Sequence, residues 1–273
     1  MNRPLISVVM ATYNDKPELL KKAINSIIDQ TEKNWEFLII DDSTNISTIN
    51  VLNEYINKDN RIRIIRSKLK NGFVKSLNIG LKQASGKYIA RMDGDDISMP
   101  TRLEKEYFFL EKNPQYHIVG SKVNIINEND DITSQIQFPQ NNFKLLLFSM
   151  FRCPLQHGDV MMRRTLIDKG FIYDENFEKA EDLELWLRMM KNNYKLYNLT
   201  ERLYSFRIEK DYAKKRNKAH FTYNLKARGK NFSWKHPISC LIGIIFSYCY
   251  MYVPFNVKKV IYDKMNKHKT MEN

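Results

Sequence analysis

The chain has 273 residues, 43% of them hydrophobic, with 44 Lys and Arg against 31 Asp and Glu, a net charge of +13. That is enough for one large α/β domain with an appendage, and it excludes a low-complexity or collagen-like chain. The charge is uneven: residues 207–273 hold 15 basic and 4 acidic side chains, a net +11, which leaves +2 for residues 1–206. A nearly neutral body with a basic tail argues against a protein that coats nucleic acid, and for a tail with its own anionic partner.

The first hundred residues alternate strand and helix patterns. "LISVVMA" (5–11) is a continuous apolar run, the mark of a strand covered on both faces. "KPELLKKAINSIIDQ" (16–30) has apolar residues at helical spacing, with Pro17 suited to a first turn. A second buried strand is expected at 35–41, a weaker helix at 45–58, a more exposed strand at 61–66, a helix at 72–84 and a strand at 86–92. Such repeats imply a parallel sheet with right-handed crossovers. Ligands then bind at the carboxyl ends of the strands. The polar clusters "TYND" (12–15), "DDST" (41–44) and "DGDD" (93–96) each follow a strand, so all three should converge on one cleft.

The second half is more mixed. Residues 117–127 and 131–139 read as a hairpin, 159–164 as a short strand and 195–208 as two short strands. "AEDLELWLRMMKNN" (180–193) predicts an amphipathic helix with Leu183, Leu187 and Met190 on its apolar face and Trp186 beside it. From 209 onward the chain reads as basic helix and tail. Within it, residues 238–253 form an uncharged stretch between Pro237 and Pro254. As a helix this stretch spans about 24 Å, short of the roughly 30 Å hydrocarbon core. Ser239, Gly243 and Ser247 make a small-residue stripe suited to packing on another helix, of the same chain or of a second subunit in a homodimer. Trp234, Tyr248, Tyr250 and Tyr252 suit a membrane interface, and the flanking basic clusters suit anionic lipid heads. No signal peptide is expected, since the N-terminal apolar run is only a strand's length. Cys153, Cys240 and Cys249 form neither a disulfide framework nor a metal-ligand spacing and suit a reducing cytoplasm.

Asp93, Asp95 and Asp96 surround Gly94 at the mouth of the 86–92 strand. Carboxylates so placed are a solvated turn, a capping pair or a site for a hard cation that also takes phosphate oxygens. Glycine lets the backbone approach a ligand closely. Glu181 and Asp182 open a helix, where the dipole favours acids; the same position can present a base to a substrate hydroxyl.

Four stretches carry a family resemblance. "ISVVMATYND" (6–15), "LIIDDST" (38–44), "NGFVKSLNIGLKQASGKYIARMDGDDISMPTRLEKE" (71–106) and "EDLELWLR" (181–188) resemble, in this order and spacing, the family 2 inverting glycosyltransferases of the GT-A fold. The resemblance spans roughly residues 4 to 210. It implies an α/β GT-A domain over 1–208, with a nucleotide-sugar-binding half (1–100) and an acceptor-side half (101–208), followed by a basic helical extension (209–273). It implies a nucleotide-sugar donor, a divalent metal (Mn²⁺ or Mg²⁺) at a DxD motif, and a single displacement with inversion.

Carried over residue by residue, the resemblance implies that Ala11, Tyr13 and Asn14 line the nucleoside pocket. Asp42 would accept a hydrogen bond from the base, which favours uracil; Asp41 reads as a structural cap. Lys75 and Arg91 would lie near the donor's phosphates or base. Asp93 would face ribose or sugar, Asp95 would be the main metal ligand, and Asp96 would support the loop. Asp182 is the expected general base, with Glu181 as its runner-up. His157, Trp186 and Arg207 fall on the acceptor or diphosphate side. The chain departs from the pattern where relatives commonly carry Tyr-Arg-x-His: here the positions are Phe206, Arg207, Ile208 and Glu209. A glutamate there could ligate a metal but would repel phosphate.

The implied protein is a cytoplasmic enzyme, peripheral on the inner face of the cell membrane, that acts on a glycan or lipid-linked acceptor in surface-polysaccharide synthesis. A sugar-nucleotidyltransferase would want a Gly- and Arg-rich loop in place of "ATYND", and a dinucleotide-dependent oxidoreductase would want G-x-G-x-x-G there. A nucleic-acid-binding protein would account for the tail but not for acidic loops ordered around a cleft.

Overall fold

The computed structural model describes residues 3–66, 70–208, 218–254 and 257–258. Its first half follows the strand–helix alternation: β1 (Ile6–Thr12), α1 (Pro17–Ile28), β2 (Trp35–Asp41), α2 (Ile46–Lys58), β3 (Ile62–Arg66), α3 (Phe73–Gln83) and β4 (Tyr88–Arg91). β1 pairs in parallel with β2 and β4, and β2 with β3. Every residue of β1 and β2 is buried, because helices cover both faces. Alternate residues point to opposite faces. Ile6, Val8 and Met10 meet α1, α2 and a later helix in one core layer. Val9, Ala11, Leu38 and Ile40 meet α3 and α7 (Glu181–Lys191) in the other.

The second half adds β5 (Ile97–Ser98), α4 (Arg102–Lys112), β6 (Ile118–Ile126), β7 (Ile132–Ile136), α5 (Asn142–Ser149), a 3₁₀ turn (His157–Asp159), β8 (Met161–Arg163), α6 (Thr165–Asp168), α7 and β9 (Leu196–Arg207). Strand order is β3-β2-β1-β4-β8-β6-β9-β5, with β7 on β6. β8 is antiparallel to β4, so the sheet becomes mixed beyond the parallel half. The expected hairpin is β6–β7. The two strands expected over 195–208 are one: β9 stays paired to β6 through an irregularity between Gly120↔Asn198 and Lys122↔Arg202. The extra β9 residues there bulge out and leave Thr200 and Glu201 exposed.

The apolar face of α7 also differs from expectation. Leu183 is buried, but Leu187 and Met190 are only half-buried; the inward face centres on Leu185, Trp186 and Met189. Near the chain's end, α8 (Lys218–Lys230) and α9 (Pro237–Tyr252) pack onto the domain. Lys230 ion-pairs with Asp174, and Arg228 donates to the Ser149 carbonyl at the end of α5. In the small-residue stripe of α9, Gly243 and Ser247 are buried. A Cβ on Gly243 would lie 3.3 Å from the Met150 backbone and 3.1 Å from Arg228 Nη1. The stripe therefore packs on α5 and α8 of its own chain. Among the described residues, no helix is long and apolar enough to cross a membrane.

Candidate active site

The loops after β1, β2 and β4 do converge. Asn14 adopts a left-handed conformation (φ 54°) that a short polar side chain tolerates. Its amide donates to Ser43 Oγ at 3.0 Å, and its side-chain oxygen accepts from the amides of Thr44 (2.8 Å) and Asn45 (3.0 Å). Asn14 thus ties the first loop to the second. Thr12 donates to Asp15 Oδ2 at 2.8 Å. That oxygen lies 2.4 Å from where a Gly94 Cβ would sit, so only glycine lets the Asp93–Asp96 loop approach Asp15 this closely. The sequence reading placed Asp15 inside a polar cluster but gave it no role.

On the nucleoside side, Ala11 ends nearly buried, while Tyr13 is 46% exposed beneath Lys70, whose Nζ lies 3.8 Å from the ring centroid. The Lys70 contact lowers the Tyr13 hydroxyl below its usual range. Asp42 is almost buried and heavily engaged: Oδ2 accepts from the Asn71 amide (3.1 Å), the Gly72 amide (2.9 Å) and Ser76 Oγ (2.8 Å). Oδ1 accepts from Asn71 Nδ2 at 3.1 Å. The carboxylate fixes the turn into α3 and keeps acceptor capacity on Oδ1. Asp41 accepts from the Ser43 amide and Arg66, as a cap would. Lys75 is exposed on the first turns of α3.

Arg91 stands at the centre of the cleft, 2% exposed and in close ion pair with Asp93 Oδ1. Burial opposes its charge, but Asp93 holds the guanidinium proton even more tightly than usual. None of its three nitrogens makes an aligned hydrogen bond to the protein. A buried guanidinium left in this state is a site for an anion. Burial, then Asp93 and Asp15, raise the Asp95 carboxyl to about 7. Asp96 is fully buried and accepts the Arg207 amide at 2.7 Å, supporting the loop as expected.

Arg207 differs from its expected place beside the diphosphate. Its side chain is fully buried behind the aspartate loop and donates to the carbonyls of Asp95 and Asn127 and to Asp130. With its donors already bound to protein, it acts as a strut for the loop. Glu209 lies outside the described residues.

On the acceptor side, His157 Nε2 meets Tyr173 Oη at 2.7 Å, and Nδ1 lies 3.6 Å from Glu181 Oε1. Burial and Arg91 push the imidazole well below its usual value, so it is neutral. Glu181 is pushed up to about 8 by burial and by Asp182. Burial therefore outweighs the helix N-terminus, which alone would lower it. Asp182 accepts from the Leu183 amide (2.7 Å) and from Cys153 Sγ (3.2 Å). Ala180, just before this pair, is buried with φ 57°, a left-handed conformation that an alanine adopts only under constraint. Phe73, 42% exposed, projects beside His157 and Arg91. Trp186 is fully buried in the core layer beneath α7, so no part of its ring faces the cleft. Tyr173 and Phe73 carried no sequence signal of their own; only the fold brings them to the cleft.

Among the described residues, no group of three or more His, Cys, Asp and Glu is arranged to hold a metal. Asp93 and Asp95 offer two carboxylates, and burial together with Asp93 and Asp15 makes a charged Asp95 costly without a cation. Such a donor set fits a hard divalent cation completed by substrate phosphate oxygens and water.

Three loops meet at the carboxyl ends of a parallel sheet, around a buried guanidinium and with a carboxyl pair nearby, the arrangement of an α/β enzyme cleft. The chain belongs to glycosyl transferase family 2, whose model matches residues 7–171. It is 33% identical to an uncharacterised glycosyltransferase of Methanocaldococcus jannaschii, over 98% of this chain and 96% of that one. It is 30% identical to the O-antigen biosynthesis glycosyltransferase WbnJ of Escherichia coli, over 90% of this chain and 95% of that one. Among solved structures, S. aureus TarS 1-349 in complex with UDP-GlcNAc superposes with a TM-score of 0.72, at 17% identity over 95% of this chain and 77% of that one. The fold is thus GT-A.

Proposed function

We propose that the chain is an inverting hexosyltransferase that moves a sugar from a UDP-sugar to a hydroxyl of a glycan or lipid-linked oligosaccharide in surface-polysaccharide synthesis. The likeness to WbnJ supports the pathway, and the likeness to a UDP-GlcNAc complex supports the donor. One observation carries the reading: buried Arg91, ion-paired with Asp93 and close enough to Glu181 to act on its charge, with nitrogens left over that make no aligned hydrogen bond to the protein. Arg91 takes the donor diphosphate. Tyr13 offers an exposed ring for the base, and Asp42 Oδ1 accepts the uracil N3–H. Lys75, exposed on α3, is assigned to the phosphates. A divalent cation (Mn²⁺ or Mg²⁺), when bound by Asp95 and Asp93, neutralises charge on the diphosphate.

In the transfer itself, Asp182 takes the proton of the acceptor hydroxyl. The freed oxygen forms its bond to the anomeric carbon on the face opposite the diphosphate. The bond from that carbon to the diphosphate oxygen breaks, and its electron pair leaves with UDP, so configuration inverts. Glu181 keeps its proton near neutrality and is assigned to orient the acceptor through His157. Residues 1–208 form the catalytic unit, and 209–273 an extension at the inner face of the cell membrane.

The test is thermal unfolding with UDP, UDP-sugars and other nucleoside diphosphates, with and without Mn²⁺. A true donor at a hundred times its Kd stabilises by about 2.7 kcal/mol, and Arg91→Met should lose most of that gain. No response to any nucleoside diphosphate would overturn the reading.

A further inference from the structure

The outward face of α9 is apolar along its whole length. Ile238, Leu241, Ile242, Ile245, Tyr248 and Tyr252 are all exposed, Ile238 by 73% and Ile245 by 60%. Their spacing of three and four residues puts them on one stripe. The opposite stripe, through Gly243 and Ser247, is the one packed on α5 and α8. A helix already seated on its own domain has no folding reason to keep a second apolar face in water. A continuous apolar surface of this kind marks an interaction site. Phe151, 47% exposed, meets Phe246 of α9 edge-on at 5.1 Å and widens the patch. Trp234, 86% exposed, stands just before the helix.

Charge decides the occupant. From residue 212 to residue 262 the chain carries ten Lys and Arg and no Asp or Glu. Lys235 lies at one end of the stripe; at the other, Lys218 sits 5.7 Å from the Tyr252 ring centroid and Lys258 donates to the Met251 carbonyl. A second copy docking here would set this basic region against its own duplicate. A bilayer surface rich in anionic lipid accepts both the basic rim and the apolar stripe, with Tyr and Trp rings at headgroup depth.

We infer that the outer stripe of α9 lies flat on an anionic bilayer and holds the domain there as a peripheral enzyme. Each basic side chain near such a surface is worth about fivefold in partitioning. That part is screened by salt, whereas the apolar part is not.

The test is sedimentation of the full chain with phosphatidylglycerol–phosphatidylcholine vesicles and with phosphatidylcholine vesicles alone. Binding should be at least about tenfold stronger on the anionic vesicles and should fall only in part at high salt. Leu241→Asp with Ile245→Asp should weaken it by about tenfold or more; Leu241→Ser with Ile245→Ser should weaken it less. Both variants should bind UDP as the wild type does, which shows that they are folded and separates this inference from the proposed reaction. Failure of the wild type to bind anionic vesicles at low salt overturns the inference. So does a wild-type dimer that the aspartate variant splits, with no vesicle binding in either, because the stripe is then a subunit face.

Discussion

Replacing Glu181 by Gln removes a proton-binding group from the middle of the cleft while keeping its shape. In the folded chain, burial and Asp182 raise this carboxyl from an ordinary 4.5 to about 8. The proton is then held more tightly in the folded than in the unfolded chain. The resulting stabilisation is fully present below pH 4.5 and is lost as pH rises through about 8. Each pH unit inside that window removes at most about 1.4 kcal/mol, so the Glu181–Asp182 pair should cost the wild type on the order of a few kcal/mol between pH 4.5 and 7. Asp15, Asp95 and Asp159 are raised too, to about 6, 7 and 6, and slope stability the same way, while the lowered imidazoles of His157 and His117 slope it the opposite way below their usual value of 6.5. The difference between the two proteins isolates the Glu181–Asp182 pair. Urea denaturation of metal-free wild type and Glu181→Gln from pH 5 to pH 8 measures it. The variant should gain on the wild type steadily as pH rises; parallel profiles would refute the buried-carboxyl argument. Because Gln mimics the protonated acid, the variant should also keep most of its turnover.

Asp182→Asn should lower turnover by about 10²–10⁴-fold with donor affinity little changed, the range for loss of a general base; an active Asp182→Asn beside a dead Glu181→Gln would reverse the assignment within the pair. Asp95→Ala should abolish metal-dependent UDP binding in calorimetry and leave the fold intact or slightly stabler, since it relieves repulsion with Asp93 and Asp15; wild-type UDP binding that ignores EDTA would contradict this. Ala180→Gly should raise the unfolding free energy by about 1 kcal/mol by relieving the left-handed backbone, while lowering turnover because the entry to α7 loosens. A loss of stability would show that Ala180 is not strained.

The parallel half of the fold was legible because its strands are uninterrupted apolar runs and its helices carry one clean stripe. α4 escaped that logic. Two of its four inward residues are charged: Arg102 and Glu106 are fully buried, and Arg102 reaches Asp159 at 3.6 Å while donating to the Arg91 carbonyl at 2.9 Å. A polar residue counts as surface in any periodicity reading, so a buried ion network erases the helix signal. α5 was missed for the opposite reason: "LLLF" (145–148) is an unbroken apolar run with no helical period. The acidic clusters stood out in the sequence because they follow strands or open a helix, and the fold brings them to one cleft. Arg207 was misjudged because local sequence cannot tell a guanidinium facing a cleft from one turned behind it. Tyr173 is placed by a distant pair, Asn78 Nδ2 to its carbonyl and its amide to Asn78 Oδ1, both 2.9 Å; nothing near residue 173 encodes that.

Asp15, Asp93, Asp95, Glu181 and Asp182 are gathered around buried Arg91, and the neighbouring His157 is neutral. Burial first, and the neighbouring carboxylates second, make Asp15, Asp95 and Glu181 all hold their protons more tightly than usual. Arg91 meanwhile is oriented by Asp93 yet keeps N–H groups without acceptors. The two demands are complementary. In the proposed reaction, a cation would satisfy the carboxylates but add positive charge beside Arg91; a diphosphate would satisfy Arg91 but meet repulsion from the aspartates. Each ligand therefore removes the obstacle to the other, and by linkage each must raise the other's affinity by the same factor. Because the carboxyls must lose protons to meet the cation, joint binding also releases protons to solvent, and more of them at pH 6 than at pH 8.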